Sequence, residues 1–264
     1  MQLDDPLHFQ QVAAAWPVLQ TRARQATASH RAMMPPPVHS GTFVSAAAMT
    51  HPCHAVGGDF YDYLDTGREF HLLLGDACGK GTSAALQAAL AQGILAVDVQ
   101  AASGPARVVA HLNEMLCRRR MAQRFVTLFY GVMRRDRRFS YCNAGHCWPM
   151  LLKQSSVRRL SVGGVPAGLF CDTSYEEESV RMEQGDVLVV FSDGIPEAET
   201  YVQPPGEKRQ PLEFGEQRIL DVVMTNRHRS PSTLVAHLMN NVHTFMQGNR
   251  RRDDMTALVV RYLR

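Results

Sequence analysis

The segment His71-Leu72-Leu73-Leu74-Gly75-Asp76-Ala77 joins an apolar run to a Gly-Asp pair. A short apolar run of this kind is typical of a buried β-strand, and the aspartate then lies where the strand ends. Three further segments combine carboxylates with glycine or with a strand-like run: Gly57-Gly58-Asp59, Val187–Asp193 with Gly194, and Asp253-Asp254 before Ala257–Val260. Because the ends of distant strands can converge on one rim of a sheet, we expect these carboxylates to form one site.

The residue types in these segments indicate metal binding. Mg²⁺ and Mn²⁺ prefer carboxylate, carbonyl and water oxygens to sulfur or imidazole. An Asp-Gly pair is also a common turn, and any one segment alone is typical of a solvated turn. The four segments together favour a site for two metal ions, and therefore a metal-dependent hydrolase.

Composition limits the class of protein. The 264 residues, 45% hydrophobic and 20% charged, suit one substantial domain, and the net charge of +3 is too small to indicate nucleic-acid binding. Basic runs such as Arg118–Arg120 and Arg250–Arg252 are interpreted as solvated surface charge. No apolar stretch approaches the about 18 residues of a membrane span, and no signal peptide is evident. We predict a cytoplasmic protein that binds neither nucleic acid nor membranes, with its six cysteines reduced.

The periodicity along the chain predicts an α+β architecture. Residues 7–34 favour a helix that Pro35-Pro36-Pro37 ends. Further helices are predicted over 82–99, 105–120, 216–225 and 231–247, and strands within 41–74 and over 125–133, 138–142, 149–152, 179–182, 187–191 and 257–262. The polar segment 200–211 is predicted to be a mobile loop. Two helical pairs among antiparallel strands indicate a layered sandwich.

Seven motifs in order along the chain carry a family resemblance. They are Val56–Asp62, Gly75–Gly81 with Ala84-Ala85-Leu86, Phe125–Gly131, Asn143–His146, Gly185-Asp186, Ser192–Ala198 and Asp253–Thr256. From about Pro35 to Arg264 the chain resembles the bacterial PPM (protein phosphatase 2C-like) serine/threonine phosphatases of the SpoIIE/RsbU branch. The resemblance implies a four-layer αββα sandwich of two antiparallel sheets flanked by helical pairs. It also implies a phosphatase domain over 37–264, preceded by a helical segment over 1–36.

The resemblance further implies a dinuclear Mn²⁺ or Mg²⁺ centre. By motif position Asp76 bridges the two ions, and the backbone carbonyl of Ala77 helps to hold one of them. Asp193 and Asp253 complete the shell of the other ion, and Asp59 is an early ligand that acts directly or through water.

Through a metal-bound water these four aspartates are the expected catalytic residues. Neither Cys78 nor Ser192 is therefore assigned as a nucleophile. Asp254 is either a group that supports the ligands or a ligand of a third ion. Lys80 departs from the histidine that the branch often has at its position.

The motif Asn143–His146 has two interpretations. His146 is a candidate general acid for the serine leaving group, or a contact for the phosphate. A turn that orders the strand after Tyr141 explains the motif equally well. The other histidines, including His51 and His54, are interpreted as surface or loop residues.

The implied substrate is a phosphoserine or phosphothreonine on a regulatory protein, of the STAS-type anti-sigma-factor antagonist class. An upstream sensory or receiver partner is expected, and the helix within 1–36 is interpreted as a connector or as a dimerisation segment that forms a homodimer. One alternative is a catalytically latent signalling or binding module of the same fold. Another is a hydrolase of small phosphoesters or nucleotides, against which the lack of a P-loop and of an aromatic-basic groove argues.

Overall fold

The computed structural model describes residues 6–98, 104–118, 125–202 and 210–264. Its helices are α1 (Pro6–Ala32), α2 (Thr82–Asp98), α3 (Pro105–Arg118), α4 (Gly215–Asn226) and α5 (Pro231–Met246). Its strands are β1 (Val38–Ser40), β2 (Val44–His51), β3 (Asp59–Asp65), β4 (Glu69–Ala77), β5 (Val126–Arg134), β6 (Arg138–Ala144), β7 (Met150–Leu152), β8 (Val157–Arg159), β9 (Gly163–Gly164), β10 (Glu178–Arg181), β11 (Val187–Phe191), β12 (Glu199–Val202), β13 (Gln210–Glu213) and β14 (Met255–Tyr262).

The strands form two large sheets and one hairpin. Sheet I has the order β1-β2-β14-β11-β7-β8. Sheet II has the order β10-β6-β5-β4-β3, with β9 in parallel beside β6. The hairpin is β12-β13. Apart from β9, the strand pairs in the described ranges are antiparallel, as predicted.

Successive side chains of each strand pack on opposite faces of its sheet, and this produces the layers. In β11, Leu188 and Val190 pack between the two sheets, whereas Val187 and Val189 pack on the opposite face against α4 and α5. Successive strand side chains point to opposite faces, so a strand buried on both sides is apolar throughout. Helices α2 and α3 cover the outer face of sheet II in the same way. The predicted four-layer αββα sandwich is confirmed.

The structure corrects the prediction for 200–211. Both flanks of that segment lie in the hairpin β12-β13, and residues 203–209 lie outside the described residues. The short strands β1, β8 and β9 were not predicted, because two or three residues carry no usable periodicity. The predicted helical residues 99, 119 and 120 also lie outside the described part of the chain.

The prediction that all cysteines are reduced is wrong for one pair. Cys117 on α3 and Cys171 are joined by a disulfide, with a Cα–Cα distance of 5.7 Å. Asn113 brings them together, because its side-chain amide donates to the carbonyls of Phe170 and Cys171 and holds that loop against α3. A contact across 54 residues leaves no spacing signal in the sequence. The other four cysteines are free thiols.

Helix α1 packs its last turns near the loop that precedes β3. The Thr27 hydroxyl donates to the Ala55 carbonyl at 2.7 Å, and His30 is buried. In the described part of the chain, no helix has both the length and the apolar character needed to cross a bilayer.

Candidate metal centre

One end of sheet II carries two carboxylates directly opposite each other. Asp59 begins β3, Asp76 lies near the end of β4, and the two are partners in the antiparallel register. Directly opposite residues have Cβ atoms about 4.5–5.5 Å apart on one face of a sheet. The structure therefore brings together the two carboxylates that the sequence places 17 positions apart (76 − 59).

Sheet I contributes its carboxylates at the same end. Asp193 follows β11 and Asp253 precedes β14, and these strands pair antiparallel, so the end of one lies beside the start of the other. The Ser192 hydroxyl donates to Asp59 Oδ2 at 2.7 Å and accepts from the Thr256 N–H at 2.9 Å. Ser192 thus ties the two sheets together at the rim.

The role of Ser192 was missed from the sequence. The only signal was its position directly before Asp193, and that position suggested a nucleophile to be rejected rather than a link between sheets. Its bond to Asp59 spans 133 positions of sequence.

The carboxylates perturb one another strongly. Burial raises the pKa of Asp59, the Thr256 and Ser192 hydrogen bonds lower it, and the charges of Asp254 and Asp193 raise it further. Burial is also the largest cause of the raised pKa of Asp76, followed by the charges of Asp59, Asp193, Asp253 and Asp254. A buried cluster of carboxylates is stable in its ionised form only when cations compensate it. The oxygen-rich donor set therefore fits Mg²⁺ or Mn²⁺.

Lys80 supplies one compensating charge. Its ammonium lies 2.7 Å from Asp253 Oδ2 and also contacts the Arg252 carbonyl. Both side chains of this ion pair are partly exposed, so it contributes less than about 1 kcal/mol of stability. Lys80 lies beside Asp253 at the rim and offsets part of the negative charge there.

Asp254 has different surroundings from Asp253. Its Oδ1 accepts from the Cys53 N–H and its Oδ2 from the Gly58 N–H, each at 2.7 Å, and the residue is buried. A Cβ on Gly57 would lie 2.1 Å from Asp254 Oδ2, so only glycine allows this approach. Asp254 thereby holds the loop that leads into Asp59.

Cys53 lies close to both terminal aspartates. Its Sγ and one carboxylate oxygen from each of Asp253 and Asp254 lie within 4.8 Å of one another. Burial, with the Asp254 and Asp253 charges, raises the pKa of the Cys53 thiol to about 11. Mg²⁺ and Mn²⁺ prefer oxygen ligands to sulfur, so Cys53 is a poor ligand beside these carboxylates.

His146 lies beneath the rim. Its Nδ1 is 2.9 Å from the Thr127 hydroxyl, and its backbone N–H donates to Asn143 Oδ1 at 2.7 Å. Thr127 is the β5 partner of Asp76, so Thr127 alone separates the His146 ring from the carboxylate cluster. The ring is buried, and burial lowers the pKa of His146 to about 4.

The raised pKa values predict how metal removal affects stability. The folded pKa values of Asp59 and Asp76 exceed the unfolded value of 3.8. Stabilisation from these groups is present below that pH and is lost as the pH rises through the folded values. Mn²⁺ replaces the protons, so we expect it to raise the melting temperature more at about pH 8 than at about pH 5. Calorimetry with and without EDTA measures this difference, and an equal gain at both pH values would contradict it.

Comparison with known proteins identifies a family for this chain. The family model described as Stage II sporulation protein E (SpoIIE) matches residues 66–263. Phosphoserine phosphatase RsbU of Bacillus subtilis is 29% identical over 158 residues, which cover 58% of this chain and 47% of RsbU. The chain thus spans about half the length of that relative.

Solved structures show the same fold. The SiaA-PP2C domain of Pseudomonas aeruginosa has a TM-score of 0.78 at 19% identity, and the matched region covers 95% of this chain and 99% of the SiaA domain. The catalytic domain of the serine threonine protein phosphatase PstP, in complex with two manganese ions, has a TM-score of 0.61 at 14% identity, with coverage of 84% and 99%. The αββα sandwich is therefore PP2C-like. Because the family model matches most of the chain, as the ordered motifs predict, this protein belongs to the SpoIIE family.

Proposed function

We propose that this chain is a metal-dependent protein serine/threonine phosphatase. The observation that carries the proposal is the convergence of Asp59, Asp76, Asp193 and Asp253, from four distant segments, on one rim between the two sheets. The similarity to the phosphoserine phosphatase RsbU supports the same reaction here.

We propose that these four aspartates, with the backbone carbonyl of Ala77, hold two Mn²⁺ or Mg²⁺ ions. The complex of PstP with two manganese ions supports this number. When bound, such ions neutralise charge on the phosphoryl oxygens and lower the pKa of a water molecule.

Other residues of the chain support the ligands. The Ser192 hydroxyl fixes the orientation of Asp59, and the Lys80 ammonium pairs with Asp253. We propose that Asp254 acts as a positioning residue, because both of its carboxylate oxygens already bind backbone N–H groups. We propose that His146 orders the turn after β6 and does not transfer a proton.

The proposed substrate is a phosphoserine or phosphothreonine on a regulatory protein, of the STAS-type anti-sigma-factor antagonist class. An upstream sensory or receiver partner and a homodimer through α1 belong to the same proposal. The contact of Thr27 with the loop before β3 supports α1 as the path by which such a partner reaches the site.

Two substrates test the function. Hydrolysis of a phosphoserine protein and of p-nitrophenyl phosphate is measured with Mn²⁺ and again after EDTA. We expect activity that requires Mn²⁺ and a much higher kcat/KM for the phosphoprotein. A preference for the aryl phosphate would indicate a small-phosphoester hydrolase. A folded, metal-loaded protein that hydrolyses neither would indicate a catalytically latent binding module.

A further inference from the structure

A groove of about 590 Å³ lies beside the candidate metal centre at the end of sheet I. Its walls include His54 after β2, His243 on α5, and Asn249, Arg250 and Arg251 on the segment that leads into β14. Among the described residues, its lining contains no aspartate or glutamate. The groove is therefore basic, whereas the neighbouring rim is acidic.

The groove adjoins a second cavity that borders the metal centre at Asp253. This smaller cavity of about 200 Å³ shares Arg250 and Arg251 with the groove. Its lining also holds Lys80 and Asp253 of the rim, together with Glu197, Glu199 and Glu213. Extended chain spans about 3.3–3.6 Å per residue, so Arg250 lies within about 10 Å of Asp253 along the backbone. A peptide bound at the metal centre would reach the groove two or three residues from its reacting side chain.

Two cations of the groove are available to a ligand. Arg252 is used internally, since it pairs with Glu199 at 2.6 Å, and Lys80 pairs with Asp253. Arg250 and Arg251 are exposed, and neither forms an ion pair within residues 6–98, 104–118, 125–202 and 210–264. Adjacent arginines without an acidic partner leave a local excess of positive charge.

His51 lies within the same positive region. Its Nδ1 is 3.0 Å from Nε2 of His243. Burial lowers the pKa of His51, and the charges of His243, Arg251 and Arg31 lower it further. Because its pKa is lowered, His51 stays uncharged at neutral pH, and the positive charge on this surface comes from Arg31 on α1 and Arg251 before β14.

We propose that this Arg250–Arg251 groove binds an acidic segment of the phosphoprotein substrate, next to its phosphorylated residue. The proposal rests on the phosphatase function proposed above. Guanidinium groups bind carboxylates through paired N–H donors, so Asp or Glu side chains a few positions from the phosphoserine suit these arginines. The described lining holds no Phe, Tyr or Trp ring on which a base would stack, which favours a peptide over single-stranded nucleic acid.

Direct binding tests the groove without catalysis. Fluorescence anisotropy of the metal-free full chain is measured with a labelled peptide that carries glutamates around a central serine, and with the same peptide carrying glutamines. We expect the glutamate peptide to bind about tenfold more tightly, or about 1.4 kcal/mol, and to lose this preference at high salt. The double variant Arg250→Glu/Arg251→Glu should also lose it. Arg107→Glu, an exposed change on α3 in the opposite helical layer, should keep it.

Each result decides the proposal. Equal binding of the two peptides, binding of neither, or an unchanged preference in a folded double variant overturns it. Equally tight binding of a single-stranded oligonucleotide of the same charge overturns it in favour of a nucleic-acid surface. Phosphorylated forms of both peptides, incubated with Mn²⁺, separate it from the proposed function. If both phosphopeptides are hydrolysed equally well, the phosphatase proposal stands and the groove proposal fails. If the glutamate peptide binds more tightly but neither phosphopeptide is hydrolysed, the groove proposal stands and the phosphatase proposal fails.

Discussion

Asp76→Asn is expected to abolish Mn²⁺-dependent hydrolysis and, at the same time, to stabilise the metal-free protein. Metal ions contribute several kcal/mol to such reactions, so losing the proposed bridging ligand lowers kcat/KM on the order of a thousandfold. Burial and four neighbouring carboxylates raise the pKa of Asp76, so a neutral amide removes repulsion from the folded state. We expect a gain of roughly 1 kcal/mol or more at neutral pH. Phosphatase assays and denaturant unfolding in EDTA measure the two effects.

The combination of lost activity and gained stability separates a ligand from a structural residue. Asp172→Asn is the matched control, because Asp172 is exposed and lies in the loop between β9 and β10. It should change neither quantity. An Asp76→Asn protein that is inactive and also destabilised would mean that the aspartate holds the fold, and full activity would mean that the metal centre is misassigned.

The strands and helices that position this site follow from local pattern. The run Val187–Phe191 is apolar throughout, and the structure buries it on both faces, between sheet II on one side and α4 and α5 on the other. The strands predicted over 125–133 and 138–142 leave a short polar segment between them, and the structure turns there, with a φ of 72° at Arg137. In both places the local run of residues, apolar in the strand and polar in the turn, carries the pattern, so the sequence alone was sufficient.

The parts that could not be predicted depend on partners distant in sequence. Asp253 and Asp254 are adjacent and chemically identical, but one pairs with Lys80 and the other caps two N–H groups 196 and 201 positions away. The basic groove likewise needs β2, α5 and the segment before β14 to meet. Local periodicity carries no information about such contacts, whereas the order of the motifs did indicate which aspartates share the rim.

Asp254→Asn is expected to destabilise the protein, in contrast to Asp76→Asn. The Asp254 carboxylate accepts from the N–H groups of Cys53 and Gly58, and an amide would turn its NH₂ toward one of these donors. A hydrogen bond to a buried charged group contributes about 1.5–3 kcal/mol, so we expect a loss of about 2 kcal/mol. For a chain of this size that lowers the melting temperature by roughly 4–8 °C. Calorimetry in EDTA measures it without any contribution from bound metal.

The adjacent residue provides the control for this result. Asp253→Asn breaks the partly exposed pair with Lys80 and also removes one of the charges that raise the pKa of Asp76; the two effects oppose each other, so the change in metal-free stability should stay below about 1 kcal/mol. Mn²⁺ affinity should fall in both variants: in Asp253→Asn because a ligand is lost, and in Asp254→Asn by about 10–100-fold because the Gly57-Gly58 loop no longer holds Asp59 in place. Equal stability of the two variants would show that the N–H bonds of Asp254 do not hold the loop. Unchanged Mn²⁺ affinity in a destabilised Asp254→Asn protein would show that the position of the loop does not set the geometry of the metal centre.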